Sequence, residues 1–141
     1  MPRIGAPLPE DLRNVLHPWS DGMFDFRGGT YRTLEGAYQA HRGLVFRRGY
    51  ENISGGQAWA RGARLGLPHR PEVLRSAVAA RFDDLRCFRD AVKSHQGPFR
   101  IWHQERRIGL LLETFYGQLR EGCQTVQASL IPDSLHPEKR A

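Results

Sequence analysis

An α+β domain, mostly α-helical with a small β element near its N-terminus, is predicted by three features of this 141-residue chain. Apolar residues recur at four- and three-residue steps along Leu74, Val78, Phe82, Leu85, Phe88 and Val92, and again along Ile108, Leu111, Leu112, Phe115 and Leu119. One short aromatic segment, Phe24-Asp25-Phe26, is followed at once by Arg27-Gly28-Gly29-Thr30-Tyr31, the pattern of two strands around a glycine turn. Strand-like residues are confined to that place, so strands and helices segregate rather than alternate.

Residues 1–13 carry Pro2, Pro7 and Pro9 with little periodicity and read as a flexible lead-in. A single domain is expected over 14–122, large enough to build a core without disulfides or metals, and 123–141 should be a loose tail. After the strand pair, Thr33 is a good N-cap for a helix predicted over 34–48 on Leu34, Ala37, Tyr38, Leu44 and Val45. Gly36 and Gly43 each weaken it by about 1 kcal/mol relative to alanine. Residues 49–56 read as a loop, and a short helix over 57–65 should stop at Gly66, ahead of Pro68. The third helix starts at Pro71 and carries the longest stripe through Val92, until 94–98 break it. A closing helix is predicted over 107–121, with Gly122 as its stop.

Cys87 and Cys123 are far apart, with no CxxC or Cys/His cluster, and fit reduced thiols. His17, His41, His69, His95, His103 and His136 form no HExxH-like pair, so neither a metal site nor a cofactor is expected. Nothing resembles a signal peptide, and no window is apolar enough for a membrane span, which points to a cytoplasmic protein without a membrane partner. The formal net charge is +6, and Lys93 and Lys139 are the only lysines among the 21 basic residues. Arginine suits bidentate phosphate recognition, so an anionic partner is expected, either a phosphorylated ligand or nucleic acid. The oligomeric state is left open.

Chemistry concentrates at the start of the first helix. Glu35 falls in the first turn, and Tyr38, Gln39 and Arg42 follow on the same face one and two turns later. An acid, a phenol, an amide and a guanidinium there can hold a polar, anionic ligand. A first-turn glutamate is also favoured by the helix dipole alone. Trp19 and Trp102 can each stack on a base or simply pack in the core.

These residues also carry a resemblance. Trp19-Ser20-Asp21, the Phe-containing strand, the glycine turn and then Tyr31-x-Thr33-x-Glu35-x-x-Tyr38-Gln39-Ala40 resemble the opening of the YbiA-like, or NADAR, N-glycosidases. Ala63-Arg64-Leu65-Gly66, Val78-Ala79-Ala80-Arg81-Phe82 and Ile108-Gly109-Leu110-Leu111-Leu112 are similar to later family segments in the same order, so the likeness spans residues 17–121. It implies a YbiA-like single domain that cleaves a C1′–N bond of ribose in a phosphorylated ribosyl or ADP-ribosyl ligand. It also implies roles. Glu35 takes the catalytic acid's position, Ser20, Asp21, Tyr38 and Gln39 line the pocket, and Arg42, Arg64 and Arg81 stand where phosphate-meeting lysines occur. Breaking the C1′–N bond develops positive charge on the ribose ring, which a carboxylate can stabilise while activating water.

The chain departs from that pattern at several positions. Gly36 replaces a histidine and Asp21 an asparagine. In the late Asp-x-x-Trp-Gly motif, aligning Trp102 with the tryptophan puts Phe99 at the acid and His103 at the glycine. His103 is then the candidate proton donor in place of the lost acid, with Trp102 in the pocket wall and Asp21, Asp25 and Glu105 as the other carboxylates within consideration. The expected function is an N-glycosidase-type hydrolase. The rivals are a catalytically impaired nucleotide or nucleic-acid binding protein with the same pocket, and a plain interaction module.

Overall fold

The computed structural model describes residues 15–43 and 45–129, with side chains as far as Gly122. The expected lead-in over 1–13 and the tail beyond 129 lie outside the described residues. Within them the chain forms β1 (Phe24–Phe26), β2 (Gly29–Tyr31), α1 (Leu34–Arg42), α2 (Gly55–Leu65), α3 (Pro71–Asp84), α4 (Arg86–Ser94) and α5 (Arg106–Ser129). The protein is therefore mostly helical with one small antiparallel sheet near its N-terminus, as the periodicity predicts.

The hairpin register pairs Phe24 with Tyr31 and Phe26 with Gly29, leaving Arg27 and Gly28 as a two-residue turn. Both turn residues have positive φ, 51° and 84°, the geometry that matches strand twist in such a turn. The pleat sends Phe24, Phe26 and Tyr31 to one buried face, which rests on α3. α3 is the central element. It touches β1, α1, α4 and α5, and it buries Val73, Leu74, Ala77, Val78 and Phe82 against them. Ile108, Leu112, Phe115 and Tyr116 of α5 complete the core.

Three predicted boundaries are corrected. α1 ends at Arg42, six residues before the predicted Arg48, and Gly43 is extended. Arg70 Nη1 donates to the carbonyls of Arg42 and Gly43, capping the helix end from a distant segment. Val45, predicted on the helix face, is exposed, as is the neighbouring Phe46. The predicted third helix is two helices broken at Leu85, whose extended backbone (φ −110°, ψ 102°) both ends α3 and starts α4. Arg89 Nη1 donates to the carbonyls of Phe82 and Asp83, and the Asp84 carboxylate accepts the Asp25 N–H, so the α3 end is tied to α4 and to β1. α5 runs past Gly122 to Ser129, into the expected loose tail, because Gly122 stays out of the left-handed region that ends helices.

Phe88 is fully buried with its ring edge-on to Tyr116, whereas Leu110 on α5 is half exposed. Phe88→Ala should cost about 3–5 kcal/mol in urea unfolding. Leu110→Ala should stay within about 0.5 kcal/mol. Equal losses would contradict the assigned core.

Candidate active site

Thr33 starts α1. Its hydroxyl accepts the Gly36 N–H at 2.9 Å, and the Glu35 N–H is held by the Pro18 carbonyl at 3.0 Å. A Cβ on Gly36 would lie 2.7 Å from the Tyr50 carbonyl oxygen, so position 36 excludes the histidine that the resemblance would place there. This packing turns Glu35 inward, and the residue is 1% exposed.

The Glu35 carboxylate accepts three side-chain hydrogen bonds. Trp19 Nε1 at 3.0 Å and His103 Nε2 at 2.6 Å share Oε1, while Gln39 Nε2 reaches Oε2 at 2.7 Å. Each ring and amide orientation follows from its other partner. The Glu105 backbone N–H donates to His103 Nδ1 at 2.9 Å, so the imidazole proton sits on Nε2 and points at Glu35. Gln39 Oε1 accepts from Arg42 Nη1 at 3.4 Å, which leaves its NH₂ for the carboxylate.

A second carboxylate closes the network. Glu105 pairs with Arg42 through both oxygens, at 3.1 and 3.0 Å, and also accepts Trp59 Nε1 at 3.0 Å. Burial pushes the Glu105 carboxyl up, but the hydrogen bonds and charge of Arg42, aided by the Trp59 indole, outweigh it and hold the group below its ordinary value. The Arg42 guanidinium lies 5.1 Å over the Tyr38 ring and gives its Nε–H to the Pro68 carbonyl. Trp19 and Trp59 flank His103 edge-on, with ring centroids at 6.0 and 6.4 Å. α2 reaches this cluster through its glycines: a Cβ on Gly62 would fall on the Gln39 amide, and one on Gly55 would fall on the Trp19 indole.

Of the sequence-predicted residues, Glu35, His103, Gln39, Arg42 and Tyr38 thus come together. Ser20 and Arg81 form a separate cluster. Arg81 is 1% exposed, gives Nη2 to the Ser20 hydroxyl at 2.7 Å and lies 5.0 Å over the Phe88 ring. Asp21 is exposed and paired with Arg32, and Arg64 is exposed near the end of α2. Asp25 is exposed and accepts from Thr30, its own strand partner. Trp102 is half exposed and holds the network only through its carbonyl, which accepts His17 Nε2 at 2.9 Å.

A cavity of about 210 Å³ opens between Trp102, His103, Arg106, Leu110 and Glu113. Glu35, Tyr38 and Gln39 do not line it, so the expected concavity shared by those three is not found there. Sequence reasoning kept Glu105 only as a fallback, gave Trp19 either base stacking or packing, and missed Trp59. Their indole and carboxylate groups meet across loops that carry no shared spacing. The small-residue face Gly55, Gly62 was the one available sign that α2 approaches another element closely.

Among the described residues no group of three His, Cys, Asp or Glu side chains could hold a metal, and no helix is long and apolar enough to cross a membrane. No protein-family model, curated protein or solved structure matches the chain.

His17 supports Trp19 by accepting its N–H at Nδ1, and burial lowers its pKa from 6.5 to about 4. Between those values the unfolded chain binds the proton and the folded one does not. Stability is therefore whole above pH 6.5 and falls as pH drops toward 4, by at most about 1.4 kcal/mol per pH unit from this group. His17→Gln should reduce the slope of unfolding free energy between pH 7 and 5, measured in urea. The Glu105 contribution, lost only below the ordinary carboxylate range, does not enter that window. An unchanged slope would sink the assignment.

Proposed function

We propose that this chain is an N-glycosidase-type hydrolase, a divergent YbiA-like or NADAR protein. It cleaves a ribosyl C1′–N bond in a nucleotide-like, ribose-phosphate or ADP-ribosylated substrate. The observation that carries the reading is the pair of carboxylates, Glu35 and Glu105, joined through Gln39 and Arg42, with His103 tying the Glu35 carboxylate to the Glu105 backbone N–H. Each carboxylate also takes one indole N–H.

In this reading Glu35 faces the ribose carbon. As the C1′–N bond breaks, its electron pair leaves with the nitrogen base, and the carboxylate stabilises the positive ring. Water adds at C1′, Glu35 takes its proton, and the proton ends on the departing nitrogen. Ribose hydroxyls replace the Trp19 and His103 donors when substrate displaces them. His103 serves as a positioning residue, because its single N–H is already directed at Glu35 and its Nδ1 is held by backbone. Arg42 and Glu105 keep Gln39 aligned and supply the second charge near the reacting centre.

A binding protein that no longer turns over is the second reading. It is favoured by one observation: Glu35 is 1% exposed and already accepts three donors, so a ligand must compete with an intact network.

Incubating the pure protein with ADP-ribosylated DNA and with phosphoribosyl pyrimidine-amines, and following released ribosyl product by mass spectrometry, separates the two. Glu35→Gln should lower turnover by about 10²–10⁴-fold with ligand affinity largely kept. Product release that survives Glu35→Gln would remove the catalytic assignment. Binding of ADP-ribose without any turnover by the unmutated chain would leave the second reading.

A further inference from the structure

Tyr50 lies in the loop between α1 and α2, with its residue 1% exposed. Its hydroxyl is buried and hydrogen-bonds to nothing among the described residues. The Arg61 guanidinium covers the ring at 5.1 Å from the centroid and donates to the Gly49 carbonyl at 3.0 Å. Arg47 and Arg64 also act on the hydroxyl: burial raises its pKa, and the charges of Arg61, Arg47 and Arg64 pull it down. None of these three arginines pairs with a carboxylate among the described residues. Glu51, the acid of the same loop, turns its carboxylate to the Gly49 N–H instead.

Three like charges gathered about an unpartnered phenol oppose one another, and the phenol loses the hydrogen bonds it had in water. A phosphate group relieves both. It offers oxygens to the O–H, and its charge offsets the guanidiniums, whose planar forks match it. We propose that Tyr50, Arg47, Arg61 and Arg64 form a phosphate-binding site, with the Tyr50 hydroxyl donating to a phosphoryl oxygen as the arginines close over it.

The site is distinct from the carboxylate network and does not depend on whether Glu35 cleaves anything. The two are nonetheless neighbours. The Tyr50 carbonyl abuts Gly36, and α2 carries Trp59 and Gly62 toward the network while its Arg61 reaches over the Tyr50 ring. A ligand with phosphate and ribose on one chain could engage both.

Binding of inorganic phosphate, ADP-ribose and a short single-stranded oligonucleotide to the full chain, by calorimetry at two salt concentrations, tests the proposal. Tyr50→Phe keeps the ring and removes only the donor, and affinity should fall by about tenfold. Arg47→Gln with Arg64→Gln should weaken binding further and flatten its salt dependence. Arg86→Gln, an exposed residue near Asp90 on α4, is the control and should change little. Preference for ADP-ribose identifies a soluble nucleotide as the phosphate source, and preference for the oligonucleotide identifies a nucleic-acid backbone; either supports the site. Unaltered affinity in Tyr50→Phe, an equal loss in Arg86→Gln, or no binding of any probe at low salt would overturn it.

Discussion

A carboxylate buried at the centre of the molecule organises the surrounding structure. Removing Glu35 from water is costly unless its oxygens find donors, and the donors come from three separate segments. Trp19 belongs to the stretch before β1, Gln39 to α1 and His103 to the loop before α5. Each must be in place for the charge to be tolerated, so one side chain ties together pieces that hydrophobic packing alone would leave free to slide. His17 extends the constraint by accepting the Trp19 N–H and giving its own to the Trp102 carbonyl, linking the first and third of those segments directly.

The same logic explains α2. Its Ser54 capping box sets the start, and left-handed Gly66 ends it, with the Gly66 N–H returning to the Ala63 carbonyl. Between those caps the helix contributes little apolar area; Ala58 is its one fully buried side chain with a Cβ. What it offers is closeness. Gly55 and Gly62, two turns apart, let Trp19 and Gln39 lie against its backbone, and Trp59 between them reaches Glu105. The helix is held by polar geometry more than by burial.

Which parts of this were legible in the sequence follows from how far each interaction reaches. The stripes Leu74, Val78, Phe82, Phe88 and Ile108, Leu112, Phe115 are periodic, and all are buried. The break at Leu85 was hidden because the stripe keeps its period across it, with Leu85 itself half-buried. The end of α1 was hidden because Arg70, 28 residues away, caps it. Within the site, Glu35, Gln39 and Arg42 share a helix face and could be grouped by spacing. Glu105 and Trp59 could not, since Glu105 meets Arg42 and Trp59 only after the loops fold.

The late motif brings these points together. Aligned on Trp102, the family resemblance would place an acid at position 99. Phe99 is instead a core residue, stacked on His95 at 4.5 Å, edge-on to Tyr116 and covered by the Arg120 guanidinium. A charge there would be buried among rings, with the Arg120 guanidinium already donating to the His95 and Gly97 carbonyls. The carboxylate that does reach the network sits six residues later, at Glu105, where Arg42 and Trp59 offset its desolvation. Arg42 depends on that partner in turn, being 4% exposed and otherwise bonded only to neutral oxygens. A bidentate guanidinium at 42 requires a carboxylate opposite it, and Glu105 supplies both that pair and a second carboxylate in the network that holds Glu35.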